Sequence, residues 1–182
     1  MSVAAGLRGA MLLARGQPEG IQLAGTGHAA VIGSFWAMPL CLPALLAMKL
    51  IGWHGVWPAH APLLLGRHLL LFAIGWLFFV WVSHHLAHTI DKDAQWPRFI
   101  VVWSFCNVIE NSLAALGAIP GAFGAPAMLD EAFQLVAIGW AFWLEWYGIR
   151  LSLEVGPLTA LVLLAADTII GVGLTLIGAV MP

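Results

Sequence analysis

The stretch PLTALVLLAADTIIGVGLTLIGAV, residues 157–180, carries a single charge, Asp167, in a run that is otherwise apolar or small. A bilayer core about 30 Å thick is crossed by roughly 20 such residues, each adding 1.5 Å of helical rise. A helix without a polar face has no side to offer water, so this segment reads as a membrane span. Within it Asp167, Gly171, Thr175 and Ala179 recur every four residues, with Gly178 on the neighbouring edge. Small side chains such as Gly171, Thr175 and Gly178 at this spacing let another helix approach closely, from the same chain or from a second copy in a homodimer.

The same ruler, moved toward the N-terminus, finds four more spans near residues 29–51, 62–84, 97–119 and 128–151. Pro39 and Pro43 in the first of these each remove a backbone donor and are expected to kink it. Short connections rich in Gly and Pro separate the spans at 52–61, 85–96, 120–127 and 152–156. Composition agrees: of 182 residues, 62% are hydrophobic and 9% charged, with mean hydropathy +0.94, too little polar surface for a soluble domain of this length. The expected fold is an all-α, polytopic transmembrane bundle of about five spans over residues 29–182. Residues 1–28, with Arg8 and Arg15 around a short apolar piece, form a cytoplasmic lead-in with the makings of an interfacial helix. No repeat, low-complexity tract or second domain interrupts this plan.

Lys and Arg collect on one side. Arg8, Arg15, Lys92, Arg98 and Arg150 share it, against Lys49 and Arg67 on the other, which puts the N-terminus in the cytoplasm and the C-terminus outside. Trp53, Trp57, Trp96 and Trp146 stand near span ends, where an apolar ring with one polar edge is at home. The formal charge of −2 leaves no basic surface for nucleic acid. Cys41 and Cys106 lie in apolar runs and read as packing residues.

The sharpest chemistry is a polar set at membrane depth: Asn107, Glu110 and Asn111 in the third span, Gln134 and Glu145 in the fourth, Asp167 in the fifth. The first three fall on one helical face by their offsets, and Gln134 and Glu145 do so by a spacing of three turns. Counted along the helices, Asp167 and Asn107 stand roughly 15 Å from the cytoplasmic end, Glu110 about 5 Å deeper and Glu145 about 6 Å shallower. One reading is a path for protons or small cations, since a carboxyl in a medium of low dielectric can load and release a proton. The other is a set of hydrogen bonds that fasten the bundle. No basic residue stands at midplane to pair the acids, and the fastening role is the one adopted; Glu145 is also placed to reach toward Arg150.

His84, His85 and His88, followed by Asp91 and Asp93, close the second span. His84 and His88 are one turn apart and can face a single metal ion with an aspartate as third ligand, whereas the plainer role is an interfacial cluster bonded to headgroups or backbone. His28 is the one obvious axial partner for a haem, and the separated histidine boxes of a di-iron site are missing. His54, His60 and His68 are scattered at the opposite face. No phosphate loop, nucleophile with an adjacent base or metalloprotease helix occurs, so the sequence points away from an enzyme and calls for no cofactor.

The segments WPRFIVVWSFCN (96–107) and WYGIRLSLEVGPLT (146–159), with Asp167, resemble bacterial five-span proteins related to the Ypt-interacting protein family. RGQPEG (15–20), SFWA (34–37) and the turn LEVGPLT (153–159) between the last two spans are similar to that family too. The resemblance implies a polar cytoplasmic lead-in before five helices and a membrane-organising or partner-binding role. It implies no catalytic residue, and this chain's N-terminal portion is shorter than that of the eukaryotic members. The expectation is a non-enzymatic scaffold or assembly protein of a bacterial inner membrane, in contact with lipid and other membrane proteins; the alternative is a small transporter or proton- or cation-coupled permease using the intramembrane acids.

Overall fold

The structure, a computed structural model, describes residues 2–53 and 56–180; His54 lies outside them. The elements in order are α1 (Val3–Ala14), a 3-10 segment (Pro18–Leu23), α2 (His28–Ser34), α3 (Ala37–Gly52), α4 (Ala61–Thr89), α5 (Trp96–Gly117), α6 (Ile119–Ala122), α7 (Ala127–Leu153) and α8 (Pro157–Val180). No strand occurs among the described residues. Five helical stretches are long and apolar enough to cross a membrane: α2 with α3, α4, α5 with α6, α7, and α8.

Proline sets many of the boundaries. Pro62 and Pro97 stand in the first turns of α4 and α5, and Pro157 opens α8, where a missing N–H costs nothing. Pro39 acts one turn upstream of itself. Its ring cannot donate to the Phe35 carbonyl and crowds it; Phe35, Trp36 and Met38 bond instead to residues three back, and the helix breaks at Phe35–Trp36. The expected kink is therefore present, displaced toward the N-terminus, while Pro43 stays inside α3.

The axis of the bundle is α5. Every residue from Phe99 to Cys106 is buried, which on a helix means enclosure on all sides. It packs chiefly on α7, with α3, α1 and α2 covering its other faces. The lead-in is part of this packing: Gly6 of α1 rests on the ring of Phe105, and Gly9 and Gly20 bring α1 and the 3-10 segment into backbone contact. Gly16, in the left-handed region at φ +75, turns the chain at the end of α1; there the Gly16 and Gln17 amides return to the Leu13 and Leu12 carbonyls. Trp140 and Tyr147 of α7 donate to the carbonyls of Ala14 and Gly16, which no longer have helical partners.

Outside this core, α8 packs on α4 and α7. Close approach is set by glycine: a Cβ added to Gly75 would meet Leu174 at 2.9 Å, and one added to Gly178 would meet Leu71 at 2.8 Å. At the other contact of α7, the first turn of α5 closes its end. Arg98 donates from Nε and Nη2 to the Ser152 carbonyl, at 3.0 and 2.7 Å, and from Nη2 to Glu154 at 2.5 Å. A cation placed on orphan carbonyls at the negative end of a helix dipole is favourable twice over. Glu154 takes the left-handed conformation, φ 54, that releases the chain into α8.

Candidate functional site

The polar residues foreseen at membrane depth divide by where their side chains bond. Asn107 and Asn111 lie on α5 as the spacing predicts, but each side-chain amide donates to the carbonyl four residues back, of Trp103 and Asn107 respectively. They satisfy their own helix. Gln134 is exposed near the start of α7 and donates to Asp130, whose other oxygen accepts from the Gly121 amide. It shares a face with Glu145 in angle but not in height, and belongs to the opposite end of the bundle.

Glu110, Glu145 and Asp167, from α5, α7 and α8, converge. The carboxyls of Glu145 and Asp167 are close enough to share a hydrogen bond, and Glu110 is within electrostatic reach of both. Trp103, two turns before Glu110 on the same face, donates from Nε1 to Asp167 at 3.1 Å. Glu145 is 6% exposed. One oxygen of Glu110 and one of Glu145 are buried without a hydrogen-bond partner among the described residues. An oxygen left so in low dielectric costs of order 1–3 kcal/mol, so this arrangement is not energetically idle.

Rings and thiols make up the walls. Trp103 lies between Trp76 and Phe79 of α4, both with ring centroids 4.7 Å away. Cys106 stands near Glu110 and Glu145, and Cys41 of α3 near Glu110; both thiols are free. The gap beside Glu145, bounded by Phe99, Val102, Trp103, Cys106, Gly148 and Ile149, is too tight for a water molecule.

Arg150 does not meet Glu145, contrary to the reach expected from sequence. Five residues on a helix turn the two side chains about 140° apart; Glu145 faces inward to Asp167, and the Arg150 guanidinium lies 4.7 Å from the ring centre of Trp146. Arg98, the other cation at this end, is held by Ser152 and Glu154, and keeps the Glu154 carboxyl below its ordinary range through their hydrogen bond and ion pair.

The histidines of α4 are engaged separately. His84 stands edge-on to Trp96, with centroids 4.8 Å apart, His85 bonds the Trp81 carbonyl, and His88 pairs with Asp93 at 3.0 Å. Among the described residues, no three His, Cys, Asp or Glu side chains gather as a metal-ligand set. On α8 the small-residue pattern splits: Gly178 faces α4, whereas Gly171 and Thr175 are exposed and Thr175 bonds the Gly171 carbonyl of its own helix. Sequence reasoning missed Trp103, Arg98 and Glu154. Trp103 had a signal, its register with Asn107 and Glu110; Arg98 had one in being a cation in the first turn of a helix, where a dipole alone disfavours it. No family model matches the chain, and neither a curated protein nor a solved structure matches it.

Proposed function

We propose that the chain is a non-enzymatic integral membrane protein of the scaffold or partner-binding type, seated in a bacterial-type inner membrane with its N-terminus cytoplasmic and its C-terminus external. The observation that carries this reading is the tight enclosure of Glu145, the buried acid of its polar centre. Three acids from three helices face one another behind Trp103, Trp76 and Phe79, beside a gap that admits no water. Groups so enclosed serve as interhelical fastenings. The basic residues at the ends of α4, α5 and α7 support the orientation, and the membrane-organising role implied by the Ypt-interacting resemblance points the same way. Lipid and other membrane proteins are its partners.

One observation favours a second reading, a small proton-coupled permease: the unpartnered oxygens of Glu110 and Glu145. The full chain in vesicles loaded with a pH-sensitive dye separates the two. A scaffold leaves an imposed proton gradient to decay at the rate of protein-free vesicles. Faster decay that Asp167→Asn abolishes, with the variant still inserted, replaces the scaffold by the permease. A C-terminal reporter active only outside the cytoplasm tests the orientation.

A further inference from the structure

We infer that Glu110, Glu145 and Asp167 form one proton-binding site inside the membrane, in which a proton held between Glu145 and Asp167 ties α7 to α8. Two carboxyls can be hydrogen-bonded to each other only through a proton that one of them carries. Asp167 already accepts from Trp103 at Oδ2, a bond that favours its ionised form, and the shared proton is assigned to Glu145 with Asp167 as its acceptor. Glu145 is more than nine-tenths buried and keeps a second oxygen without a partner, as does Glu110. These two oxygens go unmet although the Trp76 Nε1–H on the wall of the cluster is itself buried without a partner, so no donor among the described residues reaches them.

The size of the site decides what fills it. The gap against Glu145 is too tight for water, and the three acids are not disposed as ligands of a metal ion; a bare proton fits. Among the described residues no base is seen against the cluster. Of the elements packed on the cluster, α3 presents the Cys41 thiol, α5 presents Cys106, and α4 presents the rings of Trp76 and Phe79. From α1, Arg8 and Arg15 are exposed, and Arg150 of α7 lies over Trp146. Three like charges this close in a medium of low dielectric repel strongly, so removal of the proton sets α7 and α8 against each other.

The test is infrared spectroscopy of the full chain in lipid nanodiscs, following the carbonyl stretch of protonated carboxyl groups between neutral and strongly alkaline pH. The wild type is expected to show this band at neutral pH and to lose it on alkalinisation, with a fall in thermal stability in the same interval. Glu145→Gln should reduce the band, and the triple variant Glu110→Gln, Glu145→Gln, Asp167→Asn, which keeps the shapes of all three groups, should lose both the band change and the stability step. A wild-type band no different from that of the triple variant overturns the proposal. So does loss of the band at constant neutral pH on adding sodium, which would make the site one for a cation. Should the triple variant not fold, the single substitutions carry the same comparison. Vesicle flux, if found, would displace the scaffold reading and leave this site standing.

Discussion

Helices α5 and α8 both cross the bundle, and they are built on opposite terms. Half of the most apolar stretch of the α5 span is buried in protein, with mean hydropathy 1.5; for α8 the share is 17% and the hydropathy 2.3. In water the more apolar helix would be the more enclosed. Here the outer helix is the greasier one, because lipid is its solvent, and the enclosed helix can carry Ser104, Asn107, Glu110 and Asn111 because protein surrounds them. In this pair the higher hydropathy marks the lipid-facing helix and polar content the centre, whereas α7, with mean hydropathy 1.2 and 11% of its stretch buried, is both polar and outward-facing. Asp167 is the exception that joins the two, the one charge of α8 placed against α5 and α7.

The comparison breaks most plainly at Trp103. Trp103→Ala opens a cavity at the centre of α5 and strips Asp167 of its donor, and should cost about 3–5 kcal/mol in reversible detergent unfolding. Trp103→Phe, which keeps the packing, should cost about 1 kcal/mol. If Trp103→Ala proved no worse than a truncation on α8, the centre of the bundle would have to be sought elsewhere. Next comes the seat of α1. In Gly20→Ala the new methyl group meets the carbonyl oxygen of Gly9, which as backbone cannot rotate aside; a loss of about 1–3 kcal/mol is expected, with faster hydrogen exchange confined to residues 3–14.

Arg98 sharpens the contrast at the end of α7. Arg98→Ala removes the donors to the Ser152 carbonyl and should cost about 1–2 kcal/mol. Its ion pair adds a pH signature of definite sign. The Glu154 carboxyl is held below its ordinary range, so its contribution is complete above that range and fades as pH falls through the lowered value. The thermal midpoints of wild type and Glu154→Gln should therefore differ near neutral pH and converge in acid; a gap that widened in acid would refute the pairing. The smallest effects belong to α8 facing lipid: Leu161→Ala and Val172→Ala, both about half exposed, should shift stability by no more than about 0.5 kcal/mol.

Much of this architecture can be read without coordinates, because the bilayer imposes a length. The span at 157–180 coincides with α8, and the others agree to within a few residues at most ends; α4 runs on to Thr89, carrying all three histidines on helix. The helical rise puts Asp167 between Glu145, about 6 Å shallower, and Glu110, about 5 Å deeper, and the convergence of the three side chains across that spread is not given by the count. What spacing does not supply is the partner across a helix pair. Asn107 and Asn111 share the face of Glu110, yet their amides find carbonyls one turn back before they find a neighbour. Glu145 and Arg150 are near in sequence, and helical angle parts them. The docking of α1 on Phe105 was illegible for a similar reason: it depends on glycines meeting rings and backbone, and no periodicity records what lies opposite a glycine.

That docking bears on how the protein is made. A chain emerges from the ribosome N-terminus first, and the Phe105 ring on which Gly6 rests follows it by roughly 100 residues. Throughout that interval the first helix has the 3-10 segment beside it but not the α5 face on which it finally rests, and α2, α3 and α4 must enter the lipid without the piece that will later complete the wall. Assembly of the bundle therefore waits on synthesis of α5, and a nascent chain stalled short of it would leave its leading segment open to proteases or to a chaperone.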